Sequence, residues 1–229
     1  MEEQFDESRA TNYDRKIRLL APGYETLHRM LNQLLSSLLP KKAHILVVGA
    51  GTGMDIVTCG TVNPQWEFSA VEPSPEMFAL CRNNIASAGL DERVHLHCGY
   101  TSELARAAQF DAAISIFVSH FIQPESDKLK FFSDIATQLR GGAYFVAADL
   151  HGDKNSDEFN LLLNGWRKFY ASQDVGEQEV ETAFSYIRQD ISFISESRFI
   201  QLLQESGFAE VYAFFRAFLF GGWICRKSL

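Results

Sequence analysis

Glycines at 49, 51 and 53 directly follow the apolar run Ile45-Leu46-Val47-Val48, and Glu72 closes the next such run, Phe68-Ser69-Ala70-Val71. Glycine tolerates positive φ and lets a ligand reach the backbone with no Cβ in the way. A helix opening at such a turn offers unpaired N–H groups and a partly positive end. An acid at the end of the second strand can accept both hydroxyls of a ribose. Together these residues make an apparatus for an adenosine-bearing cofactor. A tight turn with no ligand is the bland alternative, and Glu72 counts against it. The spacing is G-x-G-x-G, with Met54 where the dinucleotide fingerprint requires its third glycine, which disfavours a dinucleotide.

Other residues have types that suit chemistry. His120 follows the fourth apolar run, at the strand end where ligands gather, and is the candidate base or substrate contact; a hydrogen-bonded loop histidine is the plain alternative. Asp149 and His151 end the fifth run, where capping or solvation is the simpler role. Tyr13 and Tyr24 stand on the N-terminal segment and could close over a cofactor. His95 and His97 share a strand face near Cys98, but no third ligand stands at metal spacing. Cys59, Cys81, Cys98 and Cys225 are scattered without disulfide or metal spacing, which points to a reducing, cytoplasmic setting. Trp166 and Tyr170 could face an apolar substrate, and Arg216 could pair internally or meet an anion.

These positions must be held by alternating elements. The periodicity predicts a helix over 24–39, stopped by Pro40, and residues 1–11 read as polar and frayed. Strands are expected at 44–48, 66–71, 93–98, 111–117 and 143–149. A helix is expected after Ser74 as N-cap with Gly89 past its end, and another over 125–139, ending at Gly141-Gly142. Residues 154–190 read as two helices, and a short helix follows at 195–206. The last two runs, 208–216 and 218–226, are too close for a parallel crossover and imply an antiparallel hairpin. The expected fold is α/β: a Rossmann-like, doubly wound, mostly parallel seven-stranded sheet with a C-terminal antiparallel hairpin and a helical lid.

With 229 residues and 46% apolar composition, one large domain is expected over 1–229. Its parts are an N-terminal helical segment (1–43), a cofactor-binding core (44–150), a helical lid (151–190), and a helix with the terminal hairpin (191–229). No apolar run spans a bilayer, and the polar N-terminus is unlike a signal peptide. The net charge of −8 disfavours nucleic acid, since Arg15-Lys16-Arg18, Lys41-Lys42 and Arg226-Lys227 are short patches. A small-molecule substrate is preferred, and the aromatic tail leaves room for a homodimer.

The stretches "VVGAGTGMD", "AVEPSPEMF", "FDAAISIFVSHFI", "LRGGAYFVAAD" and "GFAEVYAFFRAFLFGGWICRK" resemble the class I S-adenosylmethionine-dependent methyltransferases over nearly the whole chain. Within that superfamily, "PGYETL", the residues after Glu72, "FIQP" and the ending are most similar to the carboxy-S-adenosylmethionine synthase branch. The resemblance implies S-adenosyl-L-methionine as cofactor. Gly49, Ala50, Gly51 and Gly53 would face its methionine part, Glu72 its ribose, and Pro73 and Met77 its adenine. Tyr24 would contact it from the N-terminal helix, Tyr100 and Thr101 stand at the adenine edge, and Phe117 would lie beneath the methyl group. Three positions depart from the synthase pattern. Tyr100 replaces an aspartate, Ile116 an asparagine, and Phe184 the lid arginine that would grip an extra carboxylate. Arg188, one turn on, would substitute only if the lid shifts. The expectation is methyl transfer to a small molecule, ahead of a cofactor-modifying synthase or a noncatalytic binding module.

Overall fold

The computed structural model describes residues 7–105 and 109–229, with side chains from residue 12 in the first stretch. Two N-terminal helices, α1 (Glu7–Leu20) and α2 (Tyr24–Leu38), lead into β1 (Ala43–Val48). Then follow α3 (Met54–Val62), β2 (Trp66–Glu72), α4 (Pro75–Ser87), β3 (Val94–Cys98), β4 (Phe110–Ile116), α5 (Glu125–Gln138) and β5 (Leu139–Leu150). The chain ends with α6 (Asp157–Ala171), α7 (Glu177–Gln189), α8 (Glu196–Glu205), β6 (Phe208–Ala217) and β7 (Phe220–Lys227).

The sheet order is β3-β2-β1-β4-β5-β7-β6. The first five strands pair in parallel, while β7 pairs antiparallel with both β5 and β6. The expected fold class and terminal hairpin are therefore observed. Three apolar clusters hold it. One lies under α2, α3 and α4, with Leu31, Leu35, Ile56, Cys81 and Phe68 buried. The opposite face packs Phe132 and Ile135 of α5 and Phe199 and Leu202 of α8 on Phe145 and Trp223. The third joins Leu27, Phe117, Phe220, Phe159, Trp166, Val180 and Phe184.

Several expectations are corrected. The polar start expected to fray is helical from Glu7 onward, while residues 1–6 lie outside the described part. Gly141 and Gly142 do not end a helix: α5 stops at Gln138 and β5 begins at once. The pairing jumps from Phe110↔Leu139 to Ala112↔Tyr144, so the two glycines sit in a bulge, with Gly142 at φ +78°. Trp166 and Tyr170 do not face a substrate, because both are core residues. The Trp166 indole N–H donates to Leu20 O (2.6 Å), and its ring meets Phe184 and Phe220 edge-on at 5.1 and 4.7 Å. This one side chain ties α6 and α7 to α1 and β7. Trp166→Ala is expected to cost about 3–5 kcal/mol, read as a lower urea midpoint with little change in slope.

Candidate functional site

The order of strands sets where a ligand can sit. From β1 the chain moves outward to β2 and β3, then returns to β4 on the other side of β1. The crevice at the carboxyl ends of β1 and β4 is the switch point where open α/β sheets bind ligands. Two neighbouring cavities lie there. The larger, about 940 Å³, is lined by Gly49, Gly51, Glu72, Pro73, Met77, Tyr100, Thr101 and Phe117, among others. The smaller is lined by Tyr24, His28, Ala50, Thr52, Met54 and Asp55, and shares Tyr13, Gly49, Gly51, Ile116 and Phe117 with the larger.

The glycine turn is built for backbone approach. Gly49, Gly51 and Gly53 adopt φ of +69°, +55° and +83°. A Cβ on Gly49 would stand 2.5 Å from Val118 Cγ2, so the turn and the β4 exit are packed too closely for any side chain there. Gly53 lines neither cavity; it is the N-cap of α3.

Glu72 joins two turns. Its Oε2 accepts the Gly51 N–H (2.8 Å) and its Oε1 accepts the Ser74 N–H (3.0 Å). Ser74 in turn caps α4, its hydroxyl oxygen accepting the Met77 N–H at 3.2 Å. Each carboxylate oxygen still has lone-pair capacity for a ribose hydroxyl. Burial raises the Glu72 carboxyl above the ordinary range, and its two N–H donors only partly offset that.

Phe117 stands between the cavities. It is a non-glycine residue at φ +59°, a conformation rare for bulky side chains outside functional sites. Its N–H is held by Ala148 O (2.7 Å), and its ring packs 5.2 Å from Phe220 and 6.4 Å from Tyr24.

His120 lines neither cavity. Its Nδ1 bonds to Asp149, which also accepts the N–H and hydroxyl of Ser119. Lys128, fully buried, donates to the carbonyls of Ser119 and Ser192. Burial opposes the Asp149 charge, but His120, Lys128 and the Ser119 hydroxyl outweigh it and hold its carboxyl below the usual range. Burial lowers Lys128. This network binds the β4 exit to α5 and to the segment after α7. Of the other candidates, His151 is buried edge-on against Trp223, and Arg216 pairs with Glu196. Phe184 is buried against Trp166 and Arg188 is exposed, so neither brings a cation to the cavities. Among the described residues, no group of three or more His, Cys, Asp or Glu is arranged to hold a metal.

His28 and Asp55 are site residues that the sequence reading missed. The signals were present: Asp55 sits in the first turn after Gly53, and His28 lies one helical turn after Tyr24. The open backbone at Gly51 and the Glu72 carboxylate at the cavity wall fit a nucleoside.

Comparison with known proteins agrees with this geometry. A family model described as a methyltransferase domain matches residues 45–142. The chain is 22% identical over 227 residues to a carboxy-S-adenosyl-L-methionine synthase of Actinobacillus pleuropneumoniae, covering 97% of this chain and 92% of that protein. A solved structure of a putative S-adenosyl-L-methionine-dependent methyltransferase from Methanococcus maripaludis superposes with a TM-score of 0.70 at 18% identity, covering 100% of this chain and 96% of that one. Another, a putative sarcosine dimethylglycine methyltransferase from Galdieria sulphuraria, gives 0.63 at 15% identity, covering 89% and 86%. Residues 45–142 thus match a methyltransferase domain, the fold is the one seen in S-adenosylmethionine-dependent methyltransferases, and both support S-adenosylmethionine as the cofactor.

The expected role of Glu72 is to give a ribose charge-assisted acceptors. Glu72→Ala is expected to weaken S-adenosylhomocysteine binding about ten- to a hundred-fold, measured by calorimetry. Because the Glu72 carboxyl is raised, protonation should begin to weaken binding at a higher pH than for an ordinary carboxylate, as pH falls. Glu72→Gln should lack this acid limb, and an unchanged pH profile in that variant would refute the assignment.

Proposed function

We propose that this methyltransferase transfers the cofactor's methyl group, by in-line displacement, to a small-molecule acceptor with a partly apolar body. The cavity carries the reading. Past Glu72 and the glycine turn, its wall continues through Val118, Phe121, Ile122 and Phe131, with Gln123 and Asp127 as polar points. A volume of about 940 Å³ lies near the top of the range for a single small-molecule site, leaving space for a second ligand beside a nucleoside.

When bound, S-adenosylmethionine supplies a methyl group already activated on a sulfonium. The protein's part is then to bind, align and exclude water. Glu72 and Ser74 would fix the ribose side, and Pro73, Met77, Tyr100 and Thr101 would frame the adenine. Gly49, Ala50, Gly51 and Tyr24 would border the methionine part, and Phe117 would sit against the methyl. Phe117 is backed by Phe220 and the aromatic core beneath α6 and α7, which keeps water from that side. A carboxylate or neutral amine acceptor needs no base. That suits a cavity whose wall lacks His120, which we assign to holding the turn at Ser119–Phe121 through Asp149.

A second reading, a synthase acting on the cofactor itself, is favoured by the near full-length match to the Actinobacillus protein. Phe184, buried in the lid, stands against it, because no apolar residue replaces a bidentate guanidinium. Mass spectrometry of ligand co-purified with the chain should find S-adenosylmethionine or its demethylated product. A carboxylated cofactor would sink the first reading and support the second. With methyl-labelled cofactor and a panel of small amines and carboxylic acids, label should pass to one acceptor class, and transfer to none would count against the proposal.

A further inference from the structure

The larger cavity has a wall that the expected cofactor contacts leave unused, and its chemistry favours one sign of charge. Asp127, Lys130, Phe131 and Asp134 lie three or four residues apart on α5, so they form one stripe along that helix, and all four line the cavity. Phe121 and Ile122, from the exit of β4, continue the same lining.

The charges on this wall do not balance. Among the described residues, Lys130 is the only cation in the cavity lining, and Asp134 takes it in an ion pair at 2.6 Å, one helical turn away. No cation pairs with Asp127 among the described residues; only the Ser126 hydroxyl donates to its Oδ1, at 3.3 Å. Glu76, in the first turn of α4, adds another acid to the lining. Asp127 and Lys130 are exposed, so water and salt screen them and each acts with modest strength. The rings of Phe121 and Phe131 choose in the same direction, because aromatic faces attract cations and not anions.

A carboxylate acceptor would bring a further negative charge beside Asp127 and find no free cation to receive it. An amine meets the opposite situation. We propose that the acceptor is an amine on an apolar body, and that Asp127 and the α5 stripe select it over a carboxylic acid. The inference rests on the methyl-transfer reading and narrows it. In the transfer, the lone pair of the uncharged amine forms the new N–C bond while the C–S bond breaks and its electron pair stays on sulfur. Positive charge thus passes from sulfur to nitrogen, and a primary or secondary amine then gives one proton to water. An acidic wall favours an acceptor that becomes positive as it reacts.

Two probes with one body and opposite charge test this: 2-phenylethylamine and 3-phenylpropanoic acid. Calorimetry on the protein loaded with S-adenosylhomocysteine should show the amine binding at least about five-fold more tightly than the acid, a preference that shrinks as salt is raised. With methyl-labelled cofactor, label should pass to the amine in preference to the acid. Asp127→Lys should weaken the amine about five- to ten-fold and leave S-adenosylhomocysteine affinity unchanged. Equal or tighter binding of the acid by the wild type, or binding of neither probe, would overturn the proposal. So would an Asp127→Lys variant that keeps the amine preference, or one that loses amine and S-adenosylhomocysteine affinity by the same factor, since Asp127 would then only shape α5. A wild type that binds the amine but passes label to neither probe would instead overturn the methyl-transfer reading beneath it.

Discussion

The carboxylate of Glu72 is the tie on which the cofactor cleft depends. It takes one N–H from the turn after β1 and one from the turn after β2, so two crossover connections share a single anchor. The backbone strengthens the same junction, because Val71 O accepts the N–H groups of both Gly49 and Ala50 (2.9 and 3.1 Å). A hydrophobic residue at 72 would leave both N–H donors facing the cavity without a partner. The desolvated charge is a cost in the folded protein, seen as the raised carboxyl. It is kept at the place where a ribose would use the remaining lone pairs, as expected of functional sites that trade stability for binding.

Two buried charge clusters flank that cleft. Around Asp149, each carboxylate oxygen has donors: His120 and the Leu150 N–H on one, Ser119 on the other. A network completed in this way specifies geometry and has no free acceptor there for a ligand. Around Asp55 the carboxylate pairs with His28, Oδ1 lying 3.0 Å from Nε2. Similar residue types thus brace the end of β4 and tie α2 to α3 beside the glycine turn. Chemical type alone pointed to His120 as the functional histidine, but its place in the completed network makes it a brace.

What was legible in the sequence had local causes. Ser74, Pro75 and Gly89 mark the ends of α4 because capping acts within one turn of backbone, and the structure places Ser74 as the N-cap with Gly89 at φ +67°. The closing hairpin was readable because a connection so short permits no parallel crossover. Gly141-Gly142 misled because a glycine pair after a helical stretch reads equally as a helix end or a bulge, and only pairing with β4 decides. Trp166 and Tyr170 misled for a related reason: an aromatic stripe at helical spacing shows that a face is covered, but not by what. His28 and Asp55 sit in separate helices, and nothing in their spacing announces a contact that arises only when α2 docks on α3.

The same distinction explains why the cofactor is easier to identify than the acceptor. The proposed cofactor contacts come from turns fixed to parallel strands, in a fold shared with other proteins at 15–18% identity. The lid is different. Phe159, Trp166, Val180, Phe184 and Ile187 fill the space beneath α6 and α7 with core packing, so these helices act as a roof. That leaves the β4 exit and α5, with Phe121, Ile122, Gln123, Asp127 and Phe131, as the wall on which an acceptor can be selected. On the proposed reading, this chain has moved its choice of substrate from the lid to that wall. The burial of Phe184, where an arginine would grip a second carboxylate, is part of the same change. An apolar side chain there completes the roof around Trp166, and a guanidinium in its place would be buried without a partner at a cost of several kcal/mol (~3–5).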